Sequence, residues 1–176
     1  MQIYLAPYQE NWPDLFEIEH QKIIKNAGDI IAAVEHIGST SVVGLPAKPV
    51  IDILVGLHDF EKDAATLVQR MKADYSYNDK YEDILPNRRY FNEKDNAFQK
   101  CNIHCVQINS DWWNRHIMFR NYLRQHDEKR DAYYQHKKEL AERDWENTND
   151  YAGEKTAFIR NMEAEARLFY AEKDKT

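Results

Sequence analysis

One block narrows the fold of this chain more than any other. An apolar stretch, 30–37, runs into Gly38-Ser39-Thr40-Ser41, and a second apolar stretch, 49–56, follows a short polar loop. The spacing predicts two strands joined by a loop, 38–47, that opens with one helical turn. Alternation along the second strand turns Ile51, Ile53 and Val55 to one face and Val50, Asp52 and Leu54 to the other. A carboxylate among apolar neighbours is costly unless it is partnered. Asp52 must therefore meet a metal, a cation or a rim of water. A Gly-Ser turn presents backbone N–H groups and hydroxyls that hold phosphate oxygens, and a carboxylate on the next strand can hold the metal that bridges them.

The remaining segments predict an α+β layout. Residues 12–27 read as a helix, with Asn11 as N-cap, Pro13 in the first turn and Gly28 as its stop. Residues 60–73 form a second amphipathic helix through Ala64, Leu67, Val68 and Met71. Strands are expected at 75–81, 88–93 and 100–109, with a polar hairpin turn at 92–96. Helices follow at 112–125, 128–143 and 150–172, with Ser110 as the first N-cap. This order gives a mixed or antiparallel sheet with helices on one side and a helical C-terminal third. Residues 1–176 are read as one domain, with a sheet core over about 1–110 and helices over about 111–172.

Composition excludes some partners. The formal net charge is −6, which argues against duplex nucleic acid, where phosphate neutralisation dominates. No secretory signal or membrane-length apolar run is visible, so the expected location is cytoplasmic and away from membranes. Cys101 and Cys105 fall on one predicted strand, roughly 13 Å apart at about 3.3 Å per residue. That separation forbids a disulfide and predicts buried free thiols. A zinc site on Cys101, His104 and Cys105 is disfavoured, because His104 points to the opposite face. The aromatic residues of the helical third are expected in a core, and the charged run 127–143 on a solvated helix face.

Several polar residues are candidates for a site. Gly38, Ser39, Thr40 and Ser41 are read as the phosphate turn. Lys48 is either a phosphate contact or a loop lysine. His104 shares a strand face with Asn102 and Val106. It is read as completing a metal site with Asp52, as a general base, or as a structural histidine. A histidine–aspartate pair favours Zn²⁺ or Mn²⁺ over Mg²⁺. His36 is expected to support the turn from behind. Arg88 and Arg89 point to opposite faces, and Arg89 is assigned to the Asp52 pocket with Arg88 exposed. Arg120 and Arg124 are one helical turn apart, suited to clamp a triphosphate or carboxylate, or to pair with the acidic late helices. Lys155 is a phosphate contact or a surface lysine.

The segments 36–42 (HIGSTSV), 48–53 (KPVIDI), 88–91 (RRYF), Ile103-His104 and 119–124 (FRNYLR), with the later Tyr151, Lys155 and Phe158-Ile159, resemble the GrpB family in that order. The likeness runs from about Tyr8 to Ile159. It implies a nucleotidyltransferase-like fold. The family occurs alone and as a domain fused to dephospho-CoA kinase. The leading reading of the site residues is metal-dependent transfer of a nucleotidyl group from a nucleoside triphosphate to a small acceptor, with Asp52 and His104 as catalytic and metal-holding residues and Mg²⁺, Mn²⁺ or Zn²⁺ as the ion. The alternative is a non-catalytic module that binds a nucleotide or CoA-like molecule, or assists a partner such as dephospho-CoA kinase. A metal-dependent hydrolase built on Asp52 and His104 is a third reading. Two departures matter. Leu54 stands where nucleotidyltransferases usually carry a second carboxylate, and Asn102 replaces the first histidine of a His-x-His pattern.

Overall fold

Two apolar strands joined through the Gly-Ser loop set the frame. The structure, a computed structural model, describes residues 2–95 and 97–175. β1 (Ile31–Ile37) and β2 (Ile51–Leu57) pair antiparallel, with Ile37 opposite Asp52. β2 pairs parallel with β5 (Cys101–Gln107), which places Asn102 beside Asp52 and His104 beside Leu54. β4 (Arg88–Glu93) pairs antiparallel with β5, and β3 (Tyr75–Tyr77) with β4. Among the described residues the sheet has five strands in the order β1-β2-β5-β4-β3. A parallel neighbour needs a crossover, and the segment between β2 and β5 supplies it through α2 (Phe60–Met71) and the β3–β4 pair.

Most boundaries fall within two residues of expectation, and two differ more. β3 stops at Tyr77, because the chain then turns through 78–87, tied by the Tyr77 hydroxyl to Glu82 and by the Asn78 N–H to the Tyr90 carbonyl. The expected 92–96 turn begins too early, since Asn92 and Glu93 still pair with β5 or β3. Its last residue, Asn96, lies outside the described residues.

Helices cover both sheet faces. α1 (Trp12–Ala27) and α2 pack on the side of Ile51, Ile53 and Val55, joined by Phe91, Ile103 and Cys105 in the main core. Asp59 caps α2 by accepting from the Lys62 N–H. The opposite face carries Leu54, Val106 and Ile37 against Trp113 of α3 (Asp111–Gln125). Gly56 permits that approach: a Cβ there would lie 2.8 Å from the Trp113 ring. α4 (Asp127–Ala141) and α5 (Thr148–Lys173) pack on α3 around Tyr122, Leu123, Tyr133 and Met162, the aromatic core expected of this third. Cys101 and Cys105 are buried free thiols. Among the described residues no helix is long and apolar enough to cross a membrane.

The charged run of α4 is not uniformly solvated. Tyr133, Lys137 and Leu140 form a buried stripe at helical spacing, and Lys137 is 2% exposed. A lysine buried to that degree requires polar partners, and these lie at the candidate site.

Candidate functional site

The turn after β1 is shaped around Asp52. Gly38 sits at φ 71°, a region that favours glycine. A Cβ added there would fall 2.9 Å from the Asp52 Cβ and nearer still to a carboxylate oxygen. The glycine therefore serves both the turn and the close approach of the acid. Ser39–Ser41 follow as a single 3-10 turn. Two of its hydroxyls are spent inside the protein. Ser41 Oγ donates to the Gly38 carbonyl at 2.6 Å, and Thr40 Oγ1 donates to the Val50 carbonyl at 3.3 Å. Thr40 has given its proton away, so His36 Nε2–H is the donor in the 2.9 Å contact to Thr40 Oγ1. Burial, then the Arg124 and Arg120 charges, push the His36 pKa down to about 4, and its ring stacks on Phe16 with centroids 4.9 Å apart. His36 supports the turn from behind, as expected.

Ser39 points the other way and lines a cavity of about 220 Å³ with Lys48, Asp52, Lys137 and Lys155. Asp52 is the one carboxylate among the described lining residues. Asn102 Nδ2 donates to its Oδ1 at 2.9 Å. Asn102 is held in turn, since its Oδ1 accepts from the Tyr90 hydroxyl at 2.8 Å and from Asn92 at 3.0 Å. Burial raises the Asp52 pKa, while Asn102 and the charges of Lys155, Lys48 and Lys137 pull it down. Lys137 Nζ donates to Ser39 Oγ at 3.0 Å and to the Pro46 carbonyl at 2.7 Å, over the Tyr133 ring. Burial lowers Lys137 to about 7 and Lys155 to about 8, with Asp52 opposing the shift in both. Burial lowers Lys48 as well. The Tyr151 hydroxyl is buried at the wall without a hydrogen-bond partner among the described residues. Three lysines thus face one carboxylate, in a chain whose net charge is −6.

Gly38, Ser39, Thr40, Lys48, Asp52 and Lys155 come together as the sequence predicts. Ser41 turns to the back of the loop, where it lines a different cavity. Arg120 and Arg124 lie on that back side too. Arg120 pairs with Glu35 at 2.6 Å and donates to the His36 carbonyl at 3.0 Å, and Arg124 donates to the Ser41 carbonyl at 2.9 Å. They clamp the turn rather than face the cavity. The assignment of Arg88 and Arg89 is reversed. Pairing with Val106 puts Arg88 on the Asp52 face, whereas Arg89, opposite Cys105, goes to the α2 side with Glu82 and the Phe60 ring. His104 shares the sheet face of Asp52 but stands two residues farther along β5, next to Leu54. Its Nδ1 accepts from Arg88 Nη1 at 3.0 Å, so Nε2 carries its proton. Burial and the Arg88 charge push its pKa well down.

The donor set does not fit a two-metal centre. Leu54 is fully buried where a second carboxylate would stand, and among the described residues no three of His, Cys, Asp and Glu gather. Lys137 was missed by sequence reasoning, although its place between Tyr133 and Leu140 on a 3.6-residue stripe signalled it. Tyr133 carried no signal beyond an aromatic core, and Tyr151 none beyond that core and its place in the family pattern.

Comparison with known proteins fixes the family. Residues 2–165 match the family model described as GrpB protein. The chain belongs to the GrpB family. It is 31% identical over 160 residues to the glutamate-rich protein GrpB of Alkalihalophilus pseudofirmus, covering 90% of this chain and 92% of that one. It is 32% identical over 160 residues to UPF0157 protein YqkA of Bacillus subtilis, covering 91% of this chain but 46% of YqkA. The crystal structure of GrpB from Enterococcus faecalis matches at TM-score 0.82 and 34% identity, over 95% of this chain and 99% of that one. The Cid1 poly(U) polymerase bound to MgGTP matches at TM-score 0.51 and 12% identity, over 74% of this chain and 42% of Cid1. At that identity the likeness concerns the fold alone, which is nucleotidyltransferase-like. This GrpB chain therefore shares its fold with the Cid1 poly(U) polymerase.

Proposed function

We propose that this GrpB-family protein is a nucleotidyltransferase-like protein that seats the polyphosphate of a nucleoside triphosphate among Ser39, Lys48, Lys137 and Lys155. One observation carries the reading: three lysines converge on the cavity beside a turn that only glycine can make against Asp52. Buried or half-buried ammonium groups without a direct ion pair cost free energy unless an anion joins them. At about 220 Å³ the cavity is smaller than a typical pocket of about 300–1,000 Å³ for a whole ligand. It suits a polyphosphate, with the nucleoside outside it. The reaction class proposed here is nucleotidyl transfer. An acceptor hydroxyl or amine attacks the α-phosphorus, the bond to the β-phosphate oxygen breaks, and pyrophosphate leaves with its charge met by the lysines. One divalent ion is the most that a single carboxylate supports, with Asp52 as its ligand.

The second reading is a non-catalytic module that binds a nucleotide or CoA-like ligand, or assists a partner such as dephospho-CoA kinase. Leu54 favours it, because the pocket is kept and the metal pair is not. Thermal melts with ATP, GTP, CTP, UTP and CoA, each with and without Mg²⁺, Mn²⁺ or Zn²⁺, test both. Binding at a hundredfold excess over Kd stabilises by about 2.7 kcal/mol. A metal-dependent shift that Asp52→Asn removes, together with pyrophosphate release, supports transfer. A metal-independent shift without pyrophosphate supports the module. No shift with any of these ligands sinks the shared premise.

A further inference from the structure

A larger cavity lies beyond His104 toward the α2 side, about 690 Å³ in volume and within the size range of small-molecule sites. Arg88 lines it. Its guanidinium centre lies 5.2 Å from the Tyr90 ring and 5.9 Å from the Trp112 ring, and it donates one N–H to His104 Nδ1 at 3.0 Å. His104 is itself wedged between those rings, with both centroids 5.0 Å away. A tryptophan, a tyrosine and a neutral histidine thus hold one arginine in a fixed pose. All of these partners are uncharged. Among the described residues no carboxylate forms an ion pair with Arg88, although it is half-buried. A guanidinium keeps its charge at every physiological pH and has five donors in a planar fork. Leaving such a cation without a counter-charge is costly, and a bidentate anion is the partner its geometry matches.

The rest of the wall limits what that anion is. Ile84 and Leu85 offer an apolar side, and Trp112 offers a ring. Glu61 and Asp111 line the cavity as exposed carboxylates and Arg115 and Arg167 as further cations, with Arg115 already paired to Glu163 at 3.6 Å, so the rim charges largely cancel. We infer that this cavity is a second ligand site, in which Arg88 receives the carboxylate or phosphate of a small monoacid with an apolar or planar body. Lysines dominate the Asp52 cavity and suit a polyanion; here Arg115 and Arg167 are offset by Glu61 and Asp111, which leaves one unmatched cation, Arg88, and suits a single acidic group. The two cavities share no lining residue. The inference stands whether or not the Asp52 cavity binds a triphosphate. His104 and Trp112 are positioning residues here, acting through Arg88.

Titration of the ¹⁵N-labelled protein tests it, with the four tryptophan indole N–H signals as the readout and Trp112→Phe assigning the relevant one. Benzoate and phenyl phosphate are the probes, and inorganic phosphate tests whether the body is needed. We expect saturable shifts of the Trp112 signal with benzoate, phenyl phosphate or both, and weaker binding of inorganic phosphate. The stronger of the two aromatic probes tells carboxylate from phosphate. Arg88→Met weakens binding about 10- to 100-fold, the loss of a charge-assisted pair. Arg88→Lys, which keeps the charge and loses the fork, is also weakened and serves if the methionine variant does not fold. Lys155→Met leaves binding unchanged. The inference is overturned if neither aromatic probe shifts Trp112 saturably, if both Arg88 variants bind like the parent, or if Lys155→Met abolishes the shift.

Discussion

The two sides of the Gly38–Ser41 turn use their cations in opposite ways. Behind it, Arg120 and Arg124 of α3 are consumed by the protein: Arg120 by Glu35 and the His36 carbonyl, Arg124 by the Ser41 carbonyl. In front of it, Lys137 and Lys155 of α4 and α5 stand with Lys48 around a cavity that holds Asp52 as its carboxylate. Sequence chemistry alone points the other way, because arginine is the better fork for phosphate. The difference teaches that a cation's role follows from what already fills its donors. Arg120 is an internal clamp; the lysines retain capacity for a ligand.

The largest effect expected falls on the hinge between these sides. Gly38→Ala should destabilise the fold by about 3 kcal/mol, from left-handed strain and collision with Asp52, as read by urea denaturation. A parent-like midpoint would show that the turn has slack. Next, Lys137→Met should weaken triphosphate binding about 100-fold, the value of a charge-assisted contact. The same substitution should leave stability within about 1 kcal/mol or raise it, because a buried ammonium is replaced by an apolar chain. Arg120→Met should show the reverse pattern. We expect a loss of about 2 kcal/mol, with ligand-induced thermal shifts retained in the folded protein. If ligand binding disappears with Arg120 and survives loss of Lys137, the contrast between front and back is wrong.

The smallest effect is a pH dependence of opposite sign for stability and binding. Lys137 titrates at about 7 in the folded protein against an ordinary 10.5. Between those values the unfolded chain binds more protons, so stability from this group rises with pH. Ligand-free melts from pH 7 to 9 should therefore move up relative to Lys137→Met. Triphosphate affinity should fall over the same window as the ammonium is lost. Parallel melting curves for parent and variant would show that Lys137 is not shifted.

Much of the frame was legible because short-range periodicity specifies it. The alternation of 49–56 correctly gave Asp52 and Leu54 one face and Ile51, Ile53 and Val55 the other. The Gly-Ser turn, the capping role of Ser110 and the free thiols were legible for similar local reasons. The arginine pair on β4 shows the limit. Alternation said that Arg88 and Arg89 face opposite ways, but not which of them shares a face with Asp52. That choice belongs to the β4–β5 register, where Arg88 meets Val106. His104 shows another: same face, yet one step too far along the strand to join Asp52.

By itself the amino-acid sequence determined the strands, the glycine-bearing turn and the acid beside it, because each rests on neighbours a few residues apart, and membership of the GrpB family, because its short motifs recur in order along the chain. Tertiary structure alone decided which cations meet Asp52. Lys137 and Lys155 lie 85 and 103 residues beyond it along the chain, and helical spacing fixes the face on which a side chain stands but not the strand it reaches. That distance is set by how α4 and α5 pack across α3.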